Sequence, residues 1–468
     1  MPADTKQPLL QRIPSLTDLL KRAAIQQWLE THPHTLVTHV LRQAAAELRD
    51  RILDGSLADP AAITAEAVER RAGALLADQT RPRIRAAINA TGILLHTGLG
   101  RAVFPESVVD SIVPALKGYC TLAVHPESGE RVERDELVED LLAELTGAEA
   151  ATVVNNNAAA TLLVLAGLAA QREVIVSRGQ LIEIGGSFRL PEVMAQSQAR
   201  LVEVGATNRT HLADYQRAIT AQTAALMRVH PSNYRIVGFA GTPSLAELAA
   251  LARRHNLLLI DDLGAGALVD LRQFGLPQEP IVRESIAAGA DIVLFSGDKL
   301  IGGSQAGILV GRRPLIQQLR KHPLMRAMRV DKTCLMVLER TLHLFRHPER
   351  LRREHPLYRM ICQPLETVRA RAVALQAGLA ALGSAARVEI ADSVAYLGSG
   401  SLPTEAIPSV TVGLQARDVG AGELARRLRL DEACVFSRIE SDQVKLDMRT
   451  VADEQVPAIV QAVRRAIS

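Results

Sequence analysis

Hydrophobic positions change their spacing twice along the 468 residues. In residues 16–30, 35–53 and 61–77, apolar side chains recur every three or four positions, which predicts three amphipathic helices. Ser15 and Thr35 stand where N-caps are expected, and Gly55 with Pro60 breaks the run. Between about 86 and 325 the pattern becomes short β-branched runs at 151–154, 173–176, 199–204, 224–229, 257–260, 291–295 and 306–310. Helical stretches such as 212–220 and 245–255 lie between them. Runs that are apolar on both faces predict a mostly parallel sheet covered by helices. From about 332 a long helical region over 333–382 precedes apolar strands at 409–414 and 444–448, and a last helix over 457–467 closes the chain. The expected division is a helical module over 1–80, an α/β large domain over 81–331 and a small α+β domain over 332–468.

A chain of this length exceeds one simple core. Its apolar runs are too short to span a membrane, and the Met-Pro-Ala-Asp-Thr-Lys-Gln-Pro start lacks the layout of a secretion signal. Cys120, Cys334, Cys362 and Cys434 are scattered, with neither metal-ligand spacing nor a disulfide framework. A cytoplasmic protein is expected. The net charge of +3 does not by itself argue for nucleic acid. On the N-terminal helices Lys21, Arg22, Arg42, Arg49, Arg51, Arg70 and Arg71 alternate with Asp18, Glu30, Glu47, Asp50, Glu66 and Glu69. That arrangement fits either a face that tracks phosphates or a solvated surface.

The strongest local chemistry lies at Lys299. It follows an apolar run in Ser296-Gly297-Asp298-Lys299, and the chain returns through Gly302, Gly303 and Gly307 to a second apolar run. An amine held rigidly and partly desolvated at the end of a buried strand can form a Schiff base with an aldehyde cofactor. Ser296 and the glycines let backbone approach such a ligand closely. The competing reading is a lysine in a surface turn. Asn155-Asn156-Asn157 follows a strand and opens a helix, so its N–H groups and dipole can hold a phosphate, although a plain N-cap cluster looks the same. Residues 259–266, Leu-Ile-Asp-Asp-Leu-Gly-Ala-Gly, end a buried strand in two carboxylates. A carboxylate beneath a pyridine ring keeps its nitrogen protonated. Asp261, first after the apolar run, is the choice over Asp262, with both open. No His or third carboxylate follows at ligand spacing, so no metal is expected. Strand, phosphate turn, strand with Asp and strand with Lys, in that order, read as a fold-type-I pyridoxal 5'-phosphate enzyme. The 38 residues from Asp261 to Lys299 suffice for one helical crossover.

Longer segments extend this reading. Residues 88–102 (with Thr91, Gly92, His96 and Arg101), 178–189, 204–210 (with Thr207, Asn208 and Arg209), His230-Pro-Ser-Asn233-Tyr-Arg235, 296–303, 400–403 and 438–442 resemble the bacterial selenocysteine synthase family, the L-seryl-tRNA(Sec) selenium transferases. Gly98, Ser304 and Ser399 depart from residues frequent in that family, none at a chemically committed position. The resemblance implies pyridoxal 5'-phosphate on Lys299, which also serves as base for the Cα proton of a tRNA-borne serine. It implies loss of the β-hydroxyl, then addition of selenium from selenophosphate. It further implies that the N-terminal module meets the tRNA, and a homo-oligomer with a dimer as catalytic unit, assembled as a homodecamer. Composition gives no subunit number.

Selenophosphate is a small dense anion, so guanidinium groups are expected around it. Arg101, Arg326 and Arg329 are the candidates, and the resemblance points to the same three. The spacing of Arg326 and Arg329 predicts one helical face, which could instead meet a neighbouring subunit's carboxylates. Arg178, Arg189, Arg209 and Arg235 are further candidates, for this anion or for the cofactor phosphate. His230 stacks on or orients the cofactor ring, or is a core histidine. Rival functions are a pyridoxal-phosphate lyase or transferase of a small amino acid, and a tRNA-binding protein with a decayed centre. The first has no use for a basic helical module, and the intact Lys299 and Asp261 argue against the second.

Overall fold

The computed structural model describes residues 3–468 apart from positions 135, 185–187, 399, 401 and 403. Part of the 178–189 motif, together with Ser399, Ser401 and Pro403, therefore lies outside the described residues. The chain forms two compact units, Met1–Ala86 and Ala87–Ser468.

The first unit is helical, with its own core of Leu19, Ile25, Val37, Leu41, Leu48, Val68 and Leu75 among others. Ser15 caps its helix as expected, accepting from the backbone N–H of Asp18. The pattern over 16–30 is two helices, Leu16–Leu20 and Ala23–Thr31, because Arg22 adopts an extended conformation between them. The third helix, Ala65–Thr80, begins at the Thr64 cap, after a short turn at Pro60–Ala62. Thr35 is not a cap. Helix His34–Leu53 starts one residue earlier, behind Pro33, whose ring leaves no N–H to satisfy.

The second unit is built on a seven-stranded sheet. Its strands are β1 (Ala150–Val154), β2 (Glu173–Ser177), β3 (Arg200–Val204), β4 (Thr223–Val229), β5 (Leu258–Gly264), β6 (Ile292–Ser296) and β7 (Gly307–Gly311). They lie in the order β1-β7-β6-β5-β4-β2-β3. β2 through β6 pair in parallel, while β7 runs antiparallel to both β1 and β6. Helices cover both faces, and β1, β6 and β7 are buried throughout. This is the mixed, mostly parallel sheet expected of a fold-type-I enzyme.

The predicted helix over 333–382 is broken into Lys332–Leu344, Leu351–Glu354, Pro356–Cys362 and Leu365–Leu379. Pro348, Pro356 and Pro364 sit at these breaks, where a missing N–H and a fixed φ begin a helix but cannot continue one. A four-stranded antiparallel sheet follows: β8 (Ala386–Tyr396), β9 (Ala406–Ala416), β10 (Arg438–Glu440) and β11 (Gln443–Asp447), in the order β8-β9-β11-β10. β8 escaped the sequence reading because only two of its eleven positions are buried, which leaves a weak apolar signal. Among the described residues no helix is long and apolar enough to cross a membrane.

Candidate active site

Lys299 is presented by a closed, buried loop. The N–H of Gly297 donates to Ala306 O, and that of Gly303 to Gly297 O, both at 2.9 Å. From beneath, the Tyr358 hydroxyl donates to Leu300 O and His355 Nε2 donates to Ile301 O, again both at 2.9 Å. Gly302 has φ 67°, and a Cβ there would lie 2.2 Å from His355 Cε1, so only glycine lets the imidazole seat against the loop. Lys299 itself is 6 % exposed. Burial lowers the pKa of its amine, Arg101 acts in the same direction, and Asp298 with Asp262 opposes.

The amine faces a cavity of about 250 Å³ lined also by Arg101, Asn156, Asn157, His230, Asp262, Ser296 and Asp298. The fold thus brings most of the expected residues together. Asn156 caps helix Asn157–Ala169, its side chain accepting from the Ala159 N–H at 2.9 Å. Asn157 Nδ2 donates to Asp262 Oδ1 at 2.8 Å, and the Thr161 hydroxyl donates to Asp262 Oδ2 at 3.1 Å. Arg101 is held by Asp298, Nη1 to Oδ2 at 2.5 Å, with its own backbone at φ 64°. Burial pushes the pKa of His230 down to about 4, with Arg228 acting the same way and Asp261 against, so its ring is neutral at pH 7.

Two expectations are corrected here. Asp261 does not reach the cavity. It is fully buried and bound by Arg228 of the adjacent strand, Nε and Nη2 each 2.6 Å from a carboxylate oxygen. Successive strand residues point to opposite faces, so only one of the two carboxylates can look toward Lys299, and it is Asp262. Burial pushes the Asp262 carboxyl up, while Asn157, Gly264, Thr161 and Lys299 pull it down. The signal was legible: Arg228 in the otherwise apolar run of β4 announces a buried partner at its level. Asp298, next to the lysine, was likewise available as the anchor of Arg101.

The second correction concerns Arg326 and Arg329. They do not lie on one helical face, because helix Pro323–Met328 ends before Arg329, which is extended and bridges to Val154. Within this chain they line a different cavity, of about 740 Å³, shared with Arg131, Arg134, Arg320 and Lys321. Repulsion from Arg134 lowers the pKa of Arg329 most, followed by burial and Arg326, as expected where cations are crowded together. Arg101 remains at the Lys299 cavity. Arg178 and Arg189 are exposed and held by their own glutamates, Glu203 at 3.0 Å and Glu183 at 2.8 Å. Arg209 and Arg235 line a third cavity.

Comparison with known proteins agrees with this geometry. The family model for L-seryl-tRNA selenium transferase matches residues 87–452, and that for the selenocysteine synthase N terminus matches 10–49. An L-seryl-tRNA(Sec) selenium transferase of Desulfovibrio desulfuricans is 50% identical over 392 residues, 83% of this chain and 82% of the relative. One from Moorella thermoacetica is 44% identical over 466 residues, 98% of each chain. Among solved structures, a D-glucosaminate-6-phosphate ammonia-lyase shares the fold with a TM-score of 0.58 and 21% identity, covering 84% of this chain and 98% of its own. The chain belongs to the L-seryl-tRNA selenium transferase family.

Proposed function

We propose that the chain converts L-seryl-tRNA(Sec) to L-selenocysteyl-tRNA(Sec), replacing the serine hydroxyl with selenium supplied as selenophosphate. The observation that carries this reading is the buried Lys299 amine, in one cavity with Asp262 and the start of helix Asn157–Ala169. These residues fit pyridoxal 5'-phosphate, the cofactor of this family. Lys299 suits its aldehyde, Asn156 and Asn157 at the helix start and Ser296 at the end of β6 suit its phosphate, and Asp262 suits its ring nitrogen. His230 Nδ1 and Asn157 Oδ1 are buried polar atoms with no hydrogen-bond partner among the described residues, which supports a ligand between them. When bound, the cofactor acidifies the Cα–H of an attached serine.

The residues of this chain do the rest. Lys299, the pKa of its amine lowered by burial and by Arg101, takes the Cα proton and later returns it. Asp298 keeps Arg101 beside that amine. Neutral His230, in the lining of the same cavity, would help hold the cofactor ring without adding charge. Arg326 and Arg329, amid other cations, offer donors to selenophosphate. In this reading residues 1–80 meet the tRNA, 81–331 hold the cofactor and 332–468 form the small domain. The catalytic unit is a dimer, assembled as a cytoplasmic homodecamer, which light scattering would measure.

The test is conversion of seryl-tRNA(Sec) with selenophosphate by wild type, Lys299→Ala and Arg326→Ala. Lys299→Ala should lose the visible absorbance of the bound cofactor and at least about a hundredfold in kcat. Arg326→Ala should raise KM for selenophosphate about tenfold. A wild type that forms no selenocysteyl-tRNA would sink the reading.

A further inference from the structure

The cavity lined by Arg209 and Arg235, of about 390 Å³, shares His230 with the Lys299 cavity. Ser232 stands between them. A Cβ on Gly264 would meet its hydroxyl at 3.1 Å, and a Cβ on Gly400 would lie 3.3 Å from that hydroxyl and 3.7 Å from Lys299 Nζ. Ser232 is 2% exposed, and its Oγ has no hydrogen-bond partner among the described residues. Glu279, 8% exposed, also lines the cavity and makes no hydrogen bond or ion pair among the described residues. Arg235 and Glu405 pair across 3.1 Å in the same lining, and exposed Arg209 stands there without an ion pair among the described residues.

Buried hydroxyls and carboxyls are normally paired, because leaving them dry and unmatched is costly. Two such groups in one polar cavity point to a ligand rich in polar hydrogens. In an aminoacyl ester only a carbonyl group separates the reacting Cα from the oxygen of the terminal ribose. The terminal nucleoside must therefore sit in space that borders the Lys299 cavity. Resting on the reading that the substrate is a seryl-tRNA, we propose that this neighbouring cavity seats the 3'-terminal adenosine of the acceptor end, with Ser232 and Glu279 on its polar edges and Arg209 on the adjoining phosphate. Burial pushes the Glu279 carboxyl up to about 7, against Arg235 and with Glu405. Near neutrality it can both donate and accept, which matches the adjacent acceptor and amine on the adenine edge.

The test uses the full-length, cofactor-loaded chain in two arms. In the first, anisotropy follows binding of the labelled trinucleotides CCA and CCU. Wild type should bind CCA about tenfold more tightly than CCU, and Glu279→Leu and Arg209→Ala should each weaken CCA binding about tenfold. The first variant puts an apolar group of similar size at a buried position and the second is exposed, so both should fold. In the second arm, the same variants should raise KM for seryl-tRNA(Sec) by a similar factor, with the loss on KM rather than kcat. Equal binding of CCA and CCU, or variants that bind CCA like wild type, would overturn the proposal, as would a loss confined to kcat. If wild type fails to convert seryl-tRNA, the proposed function falls, while the trinucleotide arm still decides this one.

Discussion

Asp261 and Asp262 are chemically identical neighbours that the fold sends to opposite faces of β5. Asp261 closes a bidentate ion pair with Arg228, and Asp262 takes Asn157, Thr161 and the Lys299 cavity. Their asparagine variants should therefore fail in different ways. Asp262→Asn removes the charge facing the cofactor site and should cost at least about a hundredfold in kcat at near-native stability. Asp261→Asn leaves Arg228 without its counter-charge and should lower unfolding free energy by about 3 kcal/mol while kcat stays within a few-fold. Urea unfolding beside turnover assays separates the two, and the opposite pattern would restore Asp261 to the site. Sequence reading preferred Asp261, the first carboxylate after the apolar run, and left Asp262 open. The alternation of a strand is legible in a chain, but which face meets the site depends on what packs against it.

At the scale of elements, the loop over 297–303 and the start of helix Asn157–Ala169 were recognisable because their glycines and asparagines are demanded by local geometry. What supports the loop was not. His355 and Tyr358 reach it from helix Pro356–Cys362 and its cap, more than fifty residues on, and nothing local in the sequence marks them. The N-terminal helices show a second kind of limit. Arg22 pairs with Glu66 at 2.9 Å and Arg71 with Glu47 at 2.5 Å, so part of the apparent basic face is spent inside the unit. Arg42 and Arg49 make no ion pair among the described residues and lie exposed, two turns apart on helix His34–Leu53. If this module binds tRNA, the double variant Arg42→Ala/Arg49→Ala should weaken tRNA binding and reduce the slope of log affinity against log salt by about two. An unchanged slope would remove these residues from the interface, whereas Arg71→Ala should change stability more than affinity.

At the scale of the whole molecule, buried histidines set an acid limit. Burial lowers the pKa of His355 from the ordinary 6.5 to about 4, despite its bond to Ile301 O, and His230 falls to about 4 as well. Between these values the unfolded chain binds protons that the folded chain refuses, so stability rises with pH across the window. The contribution is complete above about 6.5 and is lost as pH falls toward 4. Glu279 works in the opposite sense, because its raised folded pKa stabilises below the ordinary 4.5 and that part fades as pH rises through about 7. His355→Phe should flatten the acid limb by about 2–3 kcal/mol, read from urea midpoints between pH 6.5 and 4, at a cost of about 1 kcal/mol near neutrality for the lost hydrogen bond. An acid limb as steep as in wild type would show that other groups carry it.

By itself, the sequence determined the alternation of strands and helices in the large domain, its buried and mostly parallel sheet, the lysine loop and the helix start that can hold a phosphate, because these follow from periodicity and from backbone needs that act over a few residues. Its longer motifs also determined the family. Only the tertiary structure decided which carboxylate faces Lys299, that Arg329 leaves its helix to bridge Val154, and that Arg326 and Arg329 line a cavity apart from Arg101. Each of these depends on which strand or loop lies alongside, and that contact is made by residues far away in the chain.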